Sequence, residues 1–522
     1  MRRVTTVIVC LVLASVTLPA ITGLEERIDR LSKEEMQAAL EFLSHDLLEG
    51  RAAGQRGGQL AEVYARSLFK FMNLAPGYNG DYWQPIKLKS FTIEDIKLNA
   101  NDVELHYRED IVGSFTQEQE KFELEADAVY VGFGITAPLW DWDDFKGVDV
   151  RDKIIITRVN DPGLFRGDNF EGETLTYFGR WIYHVEEAIR RGAAGILLIH
   201  TDMTAGYSWE VVKNSWPGEE VFLESEIKNN LKFRGWIKES SLQKLLLKKR
   251  FDLDKMYRAS LKTRFRPINL GFKIKVSGQT RFKDVFINNV VAEIPGKSPK
   301  KIVLSAHIDH LGMSGNGPDR ILNGALDNAS AVSAMMLAGK ILKEHQDELY
   351  YTVVLLACNA EEAAMLGSRY YVQQADRANI IANINFESTP VWEKARSVMA
   401  IGGRFSTLED MLKSIARKEG LDYSHSSLVK QGFFFRSDQF SFARYNIPAI
   451  WISAGEDDES GKRKYPRFWA TTYHTVKDEY DPTWPLEGLK QTIRLALLLV
   501  DHINTTRDEP KWKADLTFPL EK

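Results

Sequence analysis

Two histidines and five carboxylates sit where the chain could gather them around a cation: His307, Asp309, Asp327, Glu361, Glu362, Glu387 and His474. His307 and Asp309 end the apolar run "VLSAHIDHLGM", from Val303 to Met313. Asp327 lies in "NGALDNAS", Glu361 and Glu362 follow "TVVLLACNA", Glu387 follows "IIANINF", and His474 lies in "TTYHTVKDEYD". Imidazole nitrogens and carboxylate oxygens with few thiols form a donor set that borderline cations such as zinc accept. A set of this size, one member of which could bridge, suits two ions ~3.5–4 Å apart, whose repulsion a shared carboxylate offsets. The neighbours Glu361 and Glu362 divide the labour: one can ligate while the other stays free to take a proton from water. Each signal alone has a plainer reading. A histidine at a strand end is often a hydrogen-bonded structural residue, and Glu-Glu at a helix start complements the helix dipole. Their joint order behind successive strands selects the metal reading.

The elements needed to position these groups are legible too. From Asn289 onward, apolar strands alternate with helices: "NNVVAEIPG", "KKIVLSAHID", "YYTVVLLAC", "IIANINFES" and "NIPAIWISA" are the strands, and "ASAVSAMMLAGKILKEH", "EEAAMLGSRYYVQQA", "LEDMLKSIARKEG" and "LEGLKQTIRLALLLVDHI" the helices. Strands this apolar, separated by helices, predict an α/β fold with a mixed, largely parallel sheet flanked by helices. In such sheets sites gather beyond the carboxyl ends of the strands, where every candidate above falls. Further upstream, "EEMQAALEFLSHDLLEG" and "LAEVYARSLFKFMNL" have helical periodicity around the glycine-rich "GRAAGQRGGQ", read as a loop because no GxxxxGK[ST] accompanies it. Residues 126–276 have their own character: β-rich runs "ADAVYVGFGI" and "DKIIITRV", then "EEAIRRGAAGILLIH" as helix, glycine, strand.

Length and composition fit this picture. A chain of 522 residues is too long for one core. Its 44% hydrophobic and 27% charged residues are ordinary, and a net charge of -4 gives no reason to expect nucleic acid or an anionic membrane as partner. Residues 1–23 read as an export signal: Met1-Arg2-Arg3, a short apolar run, then small residues near Ala20 and Gly23. An uncleaved anchor is the alternative. With Cys10 in the signal, Cys358 is the lone mature thiol, read as a small buried hydrophobe, and no internal disulfide is expected. The division expected is residues 1–23 signal, 24–125 the N-terminal part of the main domain, 126–276 an insertion, 277–510 the catalytic domain and 511–522 a tail.

At "AHIDHLG", "GALDNASA", "NAEEAAMLGS" and "YHTVKDEYD" the sequence resembles metallopeptidase family twenty-eight, the co-catalytic zinc aminopeptidases, with "FFRSDQFSF" similar to a further block. "HDLLEGRAAGQRGGQLAEVYA" resembles the N-terminal segment of its bacterial members, and the insertion resembles a protease-associated domain. The resemblance implies the zinc-exopeptidase (phosphorylase/hydrolase-like) fold and two zinc ions. His307 and Glu387 would bind one, Glu362 and His474 the other, and Asp327 would bridge. Asp309 would orient His307, and Glu361 would be the general base, acting on a metal-activated water. It implies an exported exopeptidase, first an aminopeptidase acting on peptides with a free N-terminus, periplasmic or extracellular. Two departures stand out: the family usually has Asp at Glu387, and often Asp at Leu326. His310 is read as orienting or substrate-side rather than a ligand, and Tyr473 as packing. Arg436 and Asp438 are open between substrate contact and a structural pair. Three alternatives are carried: a carboxypeptidase, for which Arg436, Arg404 and Lys430 could hold a free carboxylate; a mono-zinc acyltransferase resembling glutaminyl cyclase; and a receptor-like scaffold without catalysis.

Overall fold

The computed structural model describes residues 20–521 apart from 168, 217–218, 315–316, 425–426, 456 and 514–516. Most of the expected export signal lies outside the described residues. Among those described, no helix is long and apolar enough to cross a membrane.

The alternation from Asn289 onward folds into one sheet. Its strands run in the order Ser397–Ile401, Ala449–Ala454, Ile380–Asn385, Ser298–His307, Tyr351–Cys358 and Ile268–Ile294. The four central strands are mutually parallel, and the two flanking ones are antiparallel to their neighbours. Tyr351–Cys358 is buried at every position because both faces are covered. Its side chains alternate between two cores. Val353 and Leu355 meet helices Ala331–Glu344 and Glu487–Thr506 on one face. Val354 and Leu356 meet helix Leu366–Gln374 and Phe442 on the other. Each fully buried Val or Leu contributes ~1.5–3 kcal/mol against the entropy of ordering it. Gly339 sets how closely helix and sheet approach: a Cβ there would lie 2.1 Å from the Leu355 side chain.

Helix Lys33–Leu43 starts where Ser32 and Glu35 form a capping box, and it packs on the same face as Ala331–Glu344. The glycine-rich segment after it is a close-packed turn leading into helix Arg56–Phe71. Gly50 has φ +70° and touches the loop that follows strand Ser298–His307; a Cβ would come within 2.3 Å of the Gly312 carbonyl oxygen.

The β-rich region forms a second run of strands, Ile111–Phe115, Phe233–Lys238, Gly195–His200, Ile154–Arg158 and Lys121–Tyr130, the first and last of which start ahead of residue 126. The last four are parallel in sequence of pairing, and Ile111–Phe115 is antiparallel to its neighbour. This unit has its own buried clusters. One strand of 27 residues, Ile268–Ile294, links the two runs. Its first half pairs with Lys121–Tyr130 and its last residues with Tyr351–Cys358, and the long strand Trp83–Ala100 follows it on the other side. The sheet is therefore continuous through residues 276–277, where composition alone suggests a change of domain.

Candidate metal centre

The parallel strands end on one edge, and the candidate residues collect there. His307 is the last residue of its strand. Glu387 follows strand Ile380–Asn385. Glu361 and Glu362 lie in a turn between strand Tyr351–Cys358 and helix Leu366–Gln374. The helix begins five residues later than its sequence pattern suggests, so the two glutamates do not sit in its first turn. Asp327 lies in the turn that enters helix Ala331–Glu344. His474 follows helix Lys464–Thr471.

Their ligand atoms form two groups that share Asp327. In the first, His307 Nε2 is 3.3 Å from Glu387 Oε1 and 3.4 Å from Asp327 Oδ1. In the second, His474 Nε2 is 3.2 Å from both Asp327 Oδ2 and Glu362 Oε2. The structure adds His310 to this second group. Its Nδ1 donates to Glu362 Oε1 at 2.7 Å and stands 3.8 Å from Asp327 Oδ2. His307, Asp327 and Glu387, and likewise His310, Asp327 and Glu362, each offer atoms within 4.8 Å of one another.

Glu387 reaches this cluster in spite of its extra methylene. Its Oε2 accepts from Ser437 Oγ at 2.8 Å, which aims Oε1 at His307. Asp309 does more than face His307. His307 Nδ1 is 3.1 Å from the Asp309 backbone oxygen and 3.7 Å from its carboxylate. The carboxylate itself accepts the backbone N–H of Glu361 at 3.1 Å and of Glu362 at 3.3 Å. It fixes the turn that carries both glutamates.

Two supporting residues are not evident from the sequence pattern. Arg51, 1% exposed, comes from the glycine-rich segment. It donates to the carbonyls of Ile308 at 2.9 Å, Asn323 at 2.6 Å, Gly324 at 3.0 Å and Leu43. It thereby ties the His307 loop to the Asp327 loop, and only its buried chemistry could have signalled this. Asp478, from the quoted block "YHTVKDEYD", accepts the N–H of Leu326 at 2.8 Å and of Asp327 at 3.0 Å. Arg436 and Asp438 form no ion pair among the described residues. Asp438 is fully buried, and burial first, then the nearby carboxylates, push it up to about 7. Arg436 lies over the Phe433 ring at 4.5 Å and faces the cleft. Tyr473 packs, its ring stacked 3.7 Å from that of His474. Cys358 is buried, as its sequence context suggests.

The electrostatics call for cations. Burial alone would lower the His307 pKa, but Glu387, Asp309 and Asp327 raise it well above its ordinary value. His474 is likewise carried to about 10 by Glu362 and Asp327 against burial. Asp327 is held well below the usual carboxylate range by His307 and His474. Glu361 behaves oppositely: burial first, and then the charges of Glu362 and Glu387, push it well up. Asp327 Oδ2, His474 Nε2 and His310 Nε2 are buried without a well-formed hydrogen bond. Asp327 Oδ2 and His474 Nε2, which face each other at 3.2 Å among several carboxylates, fit a bound cation.

The floor opens into a cleft of about 1610 Å³ whose opposite wall comes from the inserted unit. Residues 289–500 match the model of peptidase family M28. No curated protein sequence matches the chain significantly. Among solved structures, an aminopeptidase from Aneurinibacillus sp. strain AM-1 superposes with a TM-score of 0.54 at 17% identity, covering 95% of this chain and 98% of that one. A zinc aminopeptidase from Bacillus subtilis gives a TM-score of 0.45 at 17% identity, over 91% and 96% of the two chains. An M28 peptidase precursor from Shewanella amazonensis SB2B gives 0.45 at 15%, over 96% and 98%. At these identities the first likeness speaks for the fold alone. The fold therefore rests on the superposition, and the likeness to peptidase family M28 on the match of residues 289–500, which span less than half of the chain.

Proposed function

We propose that the chain is an exported zinc aminopeptidase. The observation that supports it best is the pair of ligand groups sharing Asp327 beneath one open cleft. His307, Asp327 and Glu387 would hold one zinc ion, and Asp327, Glu362 and His474 a second. His310 would steer Glu362 through its 2.7 Å hydrogen bond. Bound zinc supplies positive charge that acidifies water and polarises a carbonyl.

The chain's own groups do the rest. Glu361, whose pKa is raised, belongs to neither ligand group and takes a proton from the attacking water. It returns that proton to the nitrogen of the leaving amine. Asp309 holds the Glu361 turn through two backbone N–H groups, which keeps the base at a fixed height above the floor. The surplus of carboxylates, Glu387 among them, would attract a cationic N-terminus.

A carboxypeptidase reading draws support from one residue, Arg436, in the cleft. The other cations that could serve it are engaged elsewhere: Arg404 pairs with Glu171 at 2.6 Å and Lys430 with Glu173 at 3.4 Å. Export rests on the residue pattern of the first 23 residues.

The test is one peptide in three forms, with free ends, N-acetylated and C-amidated, digested by zinc-loaded protein and read by mass spectrometry. Loss of cleavage on N-acetylation alone is the expected result. Loss on C-amidation alone would replace the reading by a carboxypeptidase, and no cleavage of any form would reject both.

A further inference from the structure

The cleft wall holds several arginines, and most are paired. Arg190 has Glu187 at 2.8 Å, Arg234 has Glu220 at 2.9 Å, and Arg369 pairs with Glu226. Arg180 and Arg436 differ. Both line the cleft, one from the start of helix Trp181–Arg190 in the inserted unit, the other from the loop after Phe433 in the peptidase unit. Neither has a carboxylate partner among the described residues, and Arg180 Nε is buried without an acceptor. Arg436 is held at its base by the Phe433 ring. The two guanidinium groups also feel each other: burial, and then the charge of Arg436, bring Arg180 down to about 10. Like charges in a half-buried wall are unfavourable unless an anion joins them. The arginine fork matches a carboxylate with paired hydrogen bonds.

We propose that Arg180 and Arg436 form a two-sided subsite for a peptide carboxylate, so that the cleft favours substrates with a free C-terminus or an acidic side chain near the scissile bond. Tyr473 joins this subsite to the floor. It stacks on His474 and lines the same cleft as both arginines. One arm of the subsite belongs to each unit, so the inserted unit takes part in selecting substrate. The choice of a peptide as occupant rests on the exopeptidase reading; the anion preference of the site does not.

The test measures binding by calorimetry to the Glu361→Gln protein, whose turnover is expected to be slow enough for binding to be read. The probes are Leu-Gly-Gly, its C-terminal amide, and Leu-Gly-Glu-amide. At least one carboxylate peptide is expected to bind about tenfold or more tighter than the neutral amide. Its identity tells a terminal carboxylate from a side-chain one. Arg180→Gln and Arg436→Gln should each remove most of the preference, and Arg436→Lys should keep part of it. Unchanged melting temperatures show that the variants are folded. Equal affinity for the three peptides, no binding of any, or a preference that survives the double Gln variant would overturn the proposal. Digestion of the same peptides by the unmutated protein separates the two readings. Carboxylate-dependent binding without cleavage keeps the subsite and rejects the peptidase, whereas cleavage without preference rejects the subsite alone.

Discussion

On the floor of the cleft, His307, Asp309, Asp327 and Glu387 are at most 7% exposed, and backbone or hydroxyl groups aim most of them. On the opposite wall, the inserted unit presents Arg180, Arg190 and Arg234 beside Trp181, Trp216 and Trp236. The floor is fixed by the ends of parallel strands, so its geometry is set by the sheet. The wall is carried by a helix start and loops, so it is set by how one unit meets the other. Chemistry that needs atoms held within a fraction of an ångström belongs on the first kind of support. Discrimination between substrates tolerates the second.

This contrast is breakable in several places. The largest effect is expected at Glu361. Glu361→Gln should lower kcat by ~10²–10⁴ while metal content stays the same; retained activity would move the base elsewhere. Arg51 comes next. Arg51→Met strips the carbonyls of Ile308, Asn323 and Gly324 of a buried donor and should destabilise the fold by ~3–5 kcal/mol in denaturant unfolding. A loss under ~1 kcal/mol would mean that the two ligand loops hold without the clamp. Ser437→Ala frees Glu387 and should weaken metal binding ~10–100-fold in a metal titration. If the affinity does not change, the longer side chain needs no steering.

The smallest effect lies in the inserted unit. Burial raises Asp144 to about 7, with the Ile135 N–H opposing. The folded state therefore favours the protonated acid. Its contribution to stability is fully present below the ordinary carboxylate pKa of ~4 and is lost as pH rises towards 7. Asp144→Asn should flatten the fall in melting temperature between pH 4 and 7. A slope unchanged from the parent chain would assign that fall to other groups. Floor activity, measured at one pH, should not respond to this change.

Part of this could be read without the structure. Most of the peptidase strands, the four principal helices and the donor set behind the strands follow from apolar periodicity and from the rule that sites gather at the carboxyl edge of a parallel sheet. The outlying strand Ser397–Ile401 and the long strand Trp83–Ala100 carry no such signal. In Trp83–Ala100 charged residues alternate only in part with apolar ones. The glycine-rich segment read as a plain loop because nothing local betrays that Arg51 has three of its acceptors more than 250 residues away.

The sequence by itself determined which residue types stand behind which strands, because strand and helix periodicity is local and the edge rule then places their ends together. Only the tertiary structure decided the rest. It brought His310 against Glu362, held Glu387 in place with Ser437, and set Arg180 and Arg436 along one cleft, neither with a carboxylate partner among the described residues. Those relations join segments far apart in the chain, and side-chain distances of 3 to 4 Å are fixed by packing between elements rather than by the order of residues within them.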